Sequence, residues 1–178
     1  MQNQKTNKMT EQIIEWRKIE GFEIYSVSSA EEVRNDETGR ILKPRINSKG
    51  YFMVWLSKNG GRKSLYVHRL VALSFIPNPA CKKCVDHRDG DPLNNKLENL
   101  RWATVSENNT NVKMKSHNTS GVKGVCWHKP SSKWCVQIRI NGVNKYLGLF
   151  ETIEEATAVR RKAAQEHYGE FVHSSERL

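Results

Sequence analysis

The sequence predicts an α+β protein that is divided into three small modules. A segment rich in aromatic and β-branched residues at 51–56 is followed by an Asn-Gly turn signal, which indicates a β-rich first module. An adjacent Asp-His pair at 86–87 precedes an Asn-rich loop and a strand-like return, which indicates a compact unit of two strands. Three strand-like segments between 124 and 150 precede a helix-like segment, which predicts a three-stranded antiparallel sheet packed on one helix.

The first module is expected at residues 11–63, after a disordered polar tail at 1–10. Its main hairpin is predicted from the strand at 51–56, the turn at 58–61 and a return strand at 64–67. The tail lacks the apolar segment of a secretory signal, and no apolar run is long enough to cross a bilayer. We therefore expect a cytoplasmic protein with no membrane partner.

Charge is distributed unevenly along the chain. Its 178 residues include 29 Lys+Arg against 19 Asp+Glu, yet no acidic residue lies between Glu37 and Asp86. A strand-forming region of one charge sign repels itself unless it faces a polyanion such as DNA. A solvated basic face is the alternative. We predict that this region contacts double-stranded DNA through Arg40, Lys43, Arg45 and Arg69.

The second module, expected at 64–117, contains the candidate chemistry. Asp86 is a hard oxygen ligand suited to Mg²⁺ or Mn²⁺. Histidine is the side-chain type whose charge changes nearest neutral pH, so His87 suits the role of general base. Neighbouring side chains point to opposite faces of a strand, so both can serve one site only at a strand end or bend. Asn99 could hydrogen-bond the His87 ring and fix its tautomer.

A helix should follow the return strand. Residues 104–107 form a capping box, with Thr104 at the N-cap and Glu107 at the third helical position. We expect the helix to run from 105 to about 117, with Asn108 in its first turn and able to face Asp86. An Asp-Gly turn beside a capped helix, with no chemistry, is the other interpretation of this region.

The stretch at 85–90, with the Asn pair at 94–95 and residues 99–102, resembles the HNH family of nucleases, and most closely its phage homing-endonuclease branch. In that family two strands and a helix hold one metal ion. The resemblance implies hydrolysis of a DNA phosphodiester, with one Mg or Mn ion held by Asp86 and Asn108. It also implies intron or intergenic homing in a phage or in the cytoplasm of its bacterial host. It implies a nick from one active site, and it leaves two other candidates for the second metal ligand, Asn109 and Asn111.

The segments before the motif fit the same resemblance. The first module is similar to the short segment that precedes HNH in phage homing nucleases, except that residues 29–32, Ser-Ala-Glu-Glu, replace the usual Asn and Gly. The apolar helix expected at 68–75 is similar to the one that leads into HNH. The resemblance implies that His68 contacts the active site or the scissile phosphate; packing beside the nuclease core is the alternative.

The third module is expected at 122–171, between a linker at 118–121 and a tail at 172–178. An Asn-Gly turn at 141–142 separates two of its strands, a second capping box at 152–155 opens the helix, and Gly169 ends it. Residues 121–150 carry no acidic side chain. A basic ribbon fits the major groove of DNA, and the basic residues available for this are Lys123, Lys129, Lys133, Arg139 and Lys145.

The frame of the third module resembles the plant ethylene-response-factor (Apetala-type) DNA-binding domain. The matching residues are the Trp-x-Lys-Pro at 127–130, the Leu-Gly-x-Phe at 147–150 and the Glu-Glu-Ala at 154–156. The resemblance implies a sheet that lies in the major groove. It implies DNA contacts from His128, Trp134, Gln137, Arg139 and Tyr146.

Two other functions remain open from the sequence. The third module could serve a DNA-binding regulator whose nuclease centre is idle. Cys81 and Cys84 form a CxxC pair that could hold a structural zinc in an adaptor protein, although Cys126 and Cys135 lie in a different module. In a cytoplasmic protein these cysteines are expected to be thiols. We expect a monomer.

Overall fold

The computed structural model describes residues 13–111, Met114, Ser116 and 118–177. The tail expected at 1–10 and most of the segment expected to end the second module lie outside these residues. The fold class is confirmed, because the structure has several small antiparallel sheets and few helices. Among the helices of the described residues, none combines the length and the apolar composition needed to span a membrane.

The N-terminal part contains two three-stranded antiparallel sheets. The first consists of β1 (Trp16–Ile19), β2 (Phe22–Ser28) and β3 (Val33–Asn35). The second consists of β4 (Arg45–Ile46), β5 (Phe52–Lys58) and β6 (Gly61–Tyr66). Asn59 and Gly60 both have positive φ, as the two-residue hairpin turn between β5 and β6 requires.

The central part follows directly. Helix α1 (Val67–Phe75) leads into β7 (Cys84–His87), which pairs antiparallel with β8 (Leu100–Ala103), and α2 (Val105–Thr110) follows. The predicted capping box is present, since Thr104 accepts from the Glu107 N–H and Glu107 accepts from the Thr104 N–H. Helix α2 ends after six residues, so it is shorter than the sequence pattern predicts.

One apolar core joins the N-terminal and central parts. It combines Val27 and Leu56 of the two N-terminal sheets with Val71 of α1 and Leu100 of β8. We expected three small modules, and the structure shows that the first two share one core. Each of their sheets has one apolar face, and α1 lies between them and covers both.

The C-terminal part has a separate core. Strands β9 (Val125–His128), β10 (Lys133–Ile140) and β11 (Val143–Phe150) form a sheet with β10 in the centre, and α3 (Ile153–Tyr168) packs on one face. Small residues on α3 allow close contact, since Ala156 and Ala164 are fully buried. The predicted turn at 141–142 is present, with positive φ at both residues.

The segment expected to be a tail is folded against the rest of the protein. Val172 and Glu176 are almost completely buried, and Glu176 forms an ion pair of 2.9 Å with the equally buried Arg160 of α3. Residues 172–177, which we expected to belong to a tail at 172–178, therefore include side chains that are buried against the rest of the protein. The short, polar sequence of this segment gave no indication that Glu176 pairs with a buried arginine on α3.

Candidate active site

Strands β7 and β8 place the Asp-His pair at the end of a buried hairpin. Asp86 lies opposite Arg101, and His87, the last residue of β7, lies opposite Leu100. Both Asp86 and His87 are buried. The strand end anticipated from their adjacency is present. The two side chains can therefore act at one place although they are neighbours in a strand.

The His87 ring has a partner that fixes its tautomer. His87 Nε2 lies 3.0 Å from the side-chain oxygen of Asn95, which is fully buried. Asn95 Nδ2 donates to the Leu93 carbonyl at 3.3 Å, so its oxygen is the atom that faces the ring. An amide oxygen only accepts hydrogen bonds, so Nε2 carries the ring proton. The Nδ1 atom then keeps the lone pair that a general base needs.

Asn99 has a different contact from the one we expected. Its side chain accepts from the Asp89 N–H at 3.1 Å and donates to Asp89 and to the Asn94 carbonyl at 2.9 and 2.7 Å. Burial raises the pKa of Asp89, but the Asp91 N–H and the Asn94 and Asn99 amides outweigh it, so the pKa is lowered. Among the described contacts, Asn95 holds the His87 ring. Asn99 instead shapes the loop that presents Asn95.

Asp86 is held by an arginine and by an asparagine. Arg101 donates from Nε to Asp86 Oδ2 at 2.8 Å, and its Nη2 is 2.6 Å from the same oxygen. Asn111 Nδ2 lies 3.1 Å from Asp86 Oδ1 and donates to the His87 carbonyl at 2.6 Å. Asn111 was one of the alternatives to Asn108. The described contacts bring Asn111, and not Asn108, to Asp86, because α2 stops at Thr110 and the next residue turns back.

The oxygen atoms around Asp86 suit a hard cation. The Oδ1 atom of Asn111 is buried and has no hydrogen-bond partner. A carboxylate and an amide oxygen are ligands that Mg²⁺ and Mn²⁺ accept, with water or phosphate completing the set. Among the described residues, no three His, Cys, Asp or Glu side chains converge as a metal cluster. This donor set fits an ion that retains several non-protein ligands.

Aromatic rings surround the other side of His87. The ring centroids of His68 and Tyr51 lie 5.2 and 6.1 Å from that of His87, and the Tyr66 ring lies 5.3 Å from the His68 ring at a tilt of 34°. Burial, followed by the charges of His87 and Arg69, lowers the pKa of His68 from 6.5 to about 3. His68 is therefore neutral near pH 7, and its buried Nδ1 has no partner. The structure brings His68 to the site, together with two tyrosines that the sequence analysis missed.

The C-terminal segment reaches the Asp86 side of the site. Arg101 Nη1 donates to the Glu170 carbonyl, and the Arg101 guanidinium lies 3.9 Å from the centre of the Phe171 ring. Thr110 at the end of α2 donates to the Phe171 carbonyl at 2.9 Å. The third part of the chain thus packs directly on the residue that pairs with Asp86.

The basic residues predicted to contact DNA lie in different environments. Arg40, Lys43 and Arg45 are exposed, whereas Arg69 donates to the Lys83 carbonyl at 3.0 Å. Lys123 is half-buried and donates to the Thr110 carbonyl at 3.3 Å, so it lies where α2 meets the C-terminal part. The candidate DNA surface of the first two modules is therefore formed by the exposed members of this set.

One face of the C-terminal sheet carries three of the remaining candidates. Gln137 and Arg139 are exposed on β10, with Tyr146 opposite Gln137 on β11. Trp134 instead packs on the helix side, with its ring 5.1 Å from that of Trp127. The other two candidates on these strands are His128, which is exposed and bonded to Ser131, and Lys145, which is exposed.

Lys133 has an acidic partner, and the four cysteines are free thiols. Lys133 Nζ lies 2.7 Å from Glu151, and this hydrogen bond and its charge raise the pKa of Lys133. Cys81 and Cys84 are free thiols, the first exposed and the second half-buried. Cys126 and Cys135 face each other across β9 and β10 and are also free.

Two families match parts of the chain. The family described as HNH endonuclease matches residues 65–110, and the NUMOD4 motif matches residues 15–57. An uncharacterized HNH endonuclease, L245 of Acanthamoeba polyphaga mimivirus, is 38% identical over 144 residues, which cover 81% of this chain and 40% of that protein. DNA endonuclease I-HmuI of Bacillus phage SP01 is 42% identical over 96 residues, covering 53% of this chain and 55% of the phage protein.

A solved structure extends the similarity. It describes DNA binding and cleavage by the HNH homing endonuclease I-HmuI, with a TM-score of 0.52 and 31% identity, covering 87% of this chain and 83% of that one. This chain spans about half or less of the full length of the two curated relatives named above.

Proposed function

Because this chain belongs to the HNH endonuclease family, as its match to I-HmuI over most of both chains shows, we propose that it is a metal-dependent DNA endonuclease that hydrolyses one phosphodiester bond. The observation that carries the proposal is the pair on β7. Asn95 fixes the tautomer of His87 and leaves its Nδ1 free, and Asp86 is contacted by the Asn111 side chain, whose Oδ1 has no hydrogen-bond partner.

His87 is assigned as the general base. Its Nδ1 takes a proton from the attacking water, a new O–P bond forms, and the bond from phosphorus to the 3′ oxygen breaks. The 3′ oxygen leaves with the electron pair and is protonated by solvent. Before this step Asn95 holds the ring in the required tautomer, because an amide oxygen can only accept a hydrogen bond and Nε2 must therefore carry the proton.

Asp86 and Asn111 are assigned as the residues that would hold one Mg²⁺ or Mn²⁺ ion. Such an ion supplies positive charge to the phosphate oxygens as the pentacovalent state forms. We therefore move the second ligand from Asn108 to Asn111, whose side chain contacts Asp86 and has an unpartnered oxygen. Arg101 already neutralises Asp86. A divalent ion should bind weakly here until a DNA phosphate adds negative charge.

Double-stranded DNA is the proposed partner, bound by two surfaces of a monomer. One surface includes the exposed Arg40, Lys43 and Arg45 of the first module. The other is the face of the C-terminal sheet with Gln137, Arg139 and Tyr146, which we propose binds in the major groove as in the ethylene-response-factor type of domain. Arg and Gln are the side chains that recognise guanine and adenine there.

The test is cleavage of supercoiled DNA by the purified full chain, with and without Mg²⁺. Conversion to the open circular form that requires Mg²⁺ supports a nicking endonuclease, and a linear product would indicate cleavage of both strands. His87→Ala should reduce the rate by about 10²–10⁴. Tight DNA binding without cleavage at any Mg²⁺ or Mn²⁺ concentration would instead support a regulator with an idle nuclease centre.

A further inference from the structure

A carboxylate from the first module lies behind the candidate general base. Glu31, in the turn between β2 and β3, accepts the backbone N–H of Asn95 at 2.7 Å. Asn95 is the residue whose side-chain oxygen lies 3.0 Å from His87 Nε2. Glu31 and Asn95 are separated by 64 residues in the sequence, so this contact joins the N-terminal sheet to the nuclease loop.

The backbone at Glu31 supports a role for this contact. Its φ of +66° lies in the left-handed region, which side chains other than Gly disfavour by about 1 kcal/mol or more. Such a conformation persists where the surrounding structure holds it. Here the Glu31 N–H donates to the Ser28 carbonyl at 3.2 Å, and the side chain is thereby directed at the Asn95 amide.

A second bond from the same turn reaches the same loop. The Ser29 carbonyl accepts the Leu97 N–H at 3.4 Å. The Asn-rich loop is thus held by the turn at two backbone positions on either side of residue 96. A charge-assisted bond to a backbone N–H is about twice as strong as a neutral one, so Glu31 is the stronger of the two supports.

We infer that Glu31 is a positioning residue for His87, acting through Asn95. This inference rests on the proposed function, since it assumes that His87 is the general base. Loss of the Glu31 carboxylate frees the Asn95 backbone, and the Asn95 oxygen then no longer holds the Nε2–H tautomer in place. The His87 ring then no longer directs its Nδ1 at the attacking water. A displacement of about 1 Å in a reacting group can reduce a rate by about a hundredfold.

The experiment compares three variants of the full chain: Glu31→Ala, Glu31→Gln and Glu32→Ala. Glu32 is the matched control, because it has the same charge, is the next residue, and its side chain makes no described hydrogen bond. Cleavage of saturating DNA in Mg²⁺ gives kcat, and a binding titration without Mg²⁺ gives Kd. ¹⁵N spectra of the His87 side chain report its tautomer independently of cleavage.

Glu31→Ala should lower kcat by about ten- to a hundredfold, with Kd changed less than about twofold. Glu31→Gln keeps an acceptor and should recover most of the rate, and Glu32→Ala should match wild type. The His87 spectrum should show one tautomer in wild type and a mixture in Glu31→Ala. If Glu31→Ala is unfolded by circular dichroism, Glu31→Asp keeps the charge on a shorter arm and should show the same loss.

Several results would overturn the inference. Wild-type kcat in Glu31→Ala would do so, as would an equal loss in Glu32→Ala, which would indicate a general effect of charge. A change in Kd alone would make Glu31 a DNA-binding residue. If wild type never cleaves DNA, the proposed function fails, but the His87 spectra still decide whether Glu31 fixes the ring.

Discussion

The two halves of the candidate site are supported by opposite ends of the chain and by different forces. Asp86 is held by Arg101, which is covered in turn by Glu170 and Phe171 near the C-terminus. His87 is held by Asn95, which is held by Glu31 near the N-terminus. The Asp86 side depends on a buried ion pair, whereas the His87 side depends on hydrogen bonds. Damage to the first should therefore reduce stability as well as rate, and damage to the second should mainly reduce rate.

The sharpest test replaces the two neighbouring residues separately. Asp86→Ala leaves the buried Arg101 with only Glu170 at 3.5 Å as an ionic partner, and removing one member of a buried pair costs about 3–5 kcal/mol. His87→Ala should lower stability much less while reducing the cleavage rate by about 10²–10⁴. Denaturant unfolding of both variants measures the difference. Equal losses of stability would contradict the distinction between the two sides.

The cover over Arg101 can be removed without touching the site. Phe171→Ala should reduce the free energy of unfolding by about 3 kcal/mol, because a buried ring is lost beside a guanidinium. Phe171→Leu is the matched variant that retains apolar bulk and loses the aromatic face. Thermal unfolding gives the loss, and the ¹⁵N spectrum of His87 should not change. A changed tautomer here would show that the two supports are coupled.

The His87 side should respond to pH through its buried neighbour. His68 stays neutral in the folded state down to about pH 3, whereas the unfolded chain binds its proton below about 6.5. The unfolded state therefore takes up the proton first as pH falls, and the unfolding free energy should drop by up to about 1.4 kcal/mol per pH unit below 6.5.

Replacement of that histidine gives the control. His68→Gln should reduce the dependence of the unfolding free energy on pH by the amount that corresponds to the uptake of one proton on unfolding. Denaturant unfolding at several pH values between 4 and 7 measures this dependence. An unchanged slope would mean that His68 is protonated in the folded protein. In that case the aromatic cluster around His87 would hold a charged ring.

The outer face of the C-terminal sheet should affect neither support. Arg139→Ala should weaken binding to a preferred DNA site by about 1 kcal/mol and relax the preference at one base position. We expect this modest loss of affinity because the Arg139 Nε already donates to the Gly142 carbonyl and is not free to contact a base. Lys133→Ala should weaken all sequences alike and lower the salt dependence. Titrations against cognate and scrambled duplexes at two salt concentrations separate these outcomes, and kcat for bound DNA should stay the same.

The sequence predicted the elements of the site better than their contacts. The capping box at Thr104 located the start of α2, because that signal is local. Nothing local indicated that the helix stops at Thr110, and this early end is what brings Asn111 to Asp86. Asn95, and not Asn99, contacts the His87 ring, and the Asn95 backbone is bonded to Glu31, a residue that no spacing rule within the motif could include.

Contacts between residues far apart in the sequence also determine features of the fold that the composition did not predict. The sequence patterns indicated separate small modules, yet α1 joins both N-terminal sheets to the nuclease strands. The last residues looked like a polar tail, but Glu176 pairs with Arg160 and is buried. In each case the deciding partner lies far along the chain, where periodicity and propensity give no information.

The shared core has a consequence for exchanging parts between relatives. A chimera joined near residue 60 would divide the layer formed by Leu56, Val71 and Leu100, and each half would bring side chains shaped for a different neighbour. The cassette that can be transplanted intact begins at β1 and ends at Asn111. A recipient must also supply an aromatic side chain where Phe171 covers Arg101, or the transplanted cassette will carry an uncovered charge beside its own active site.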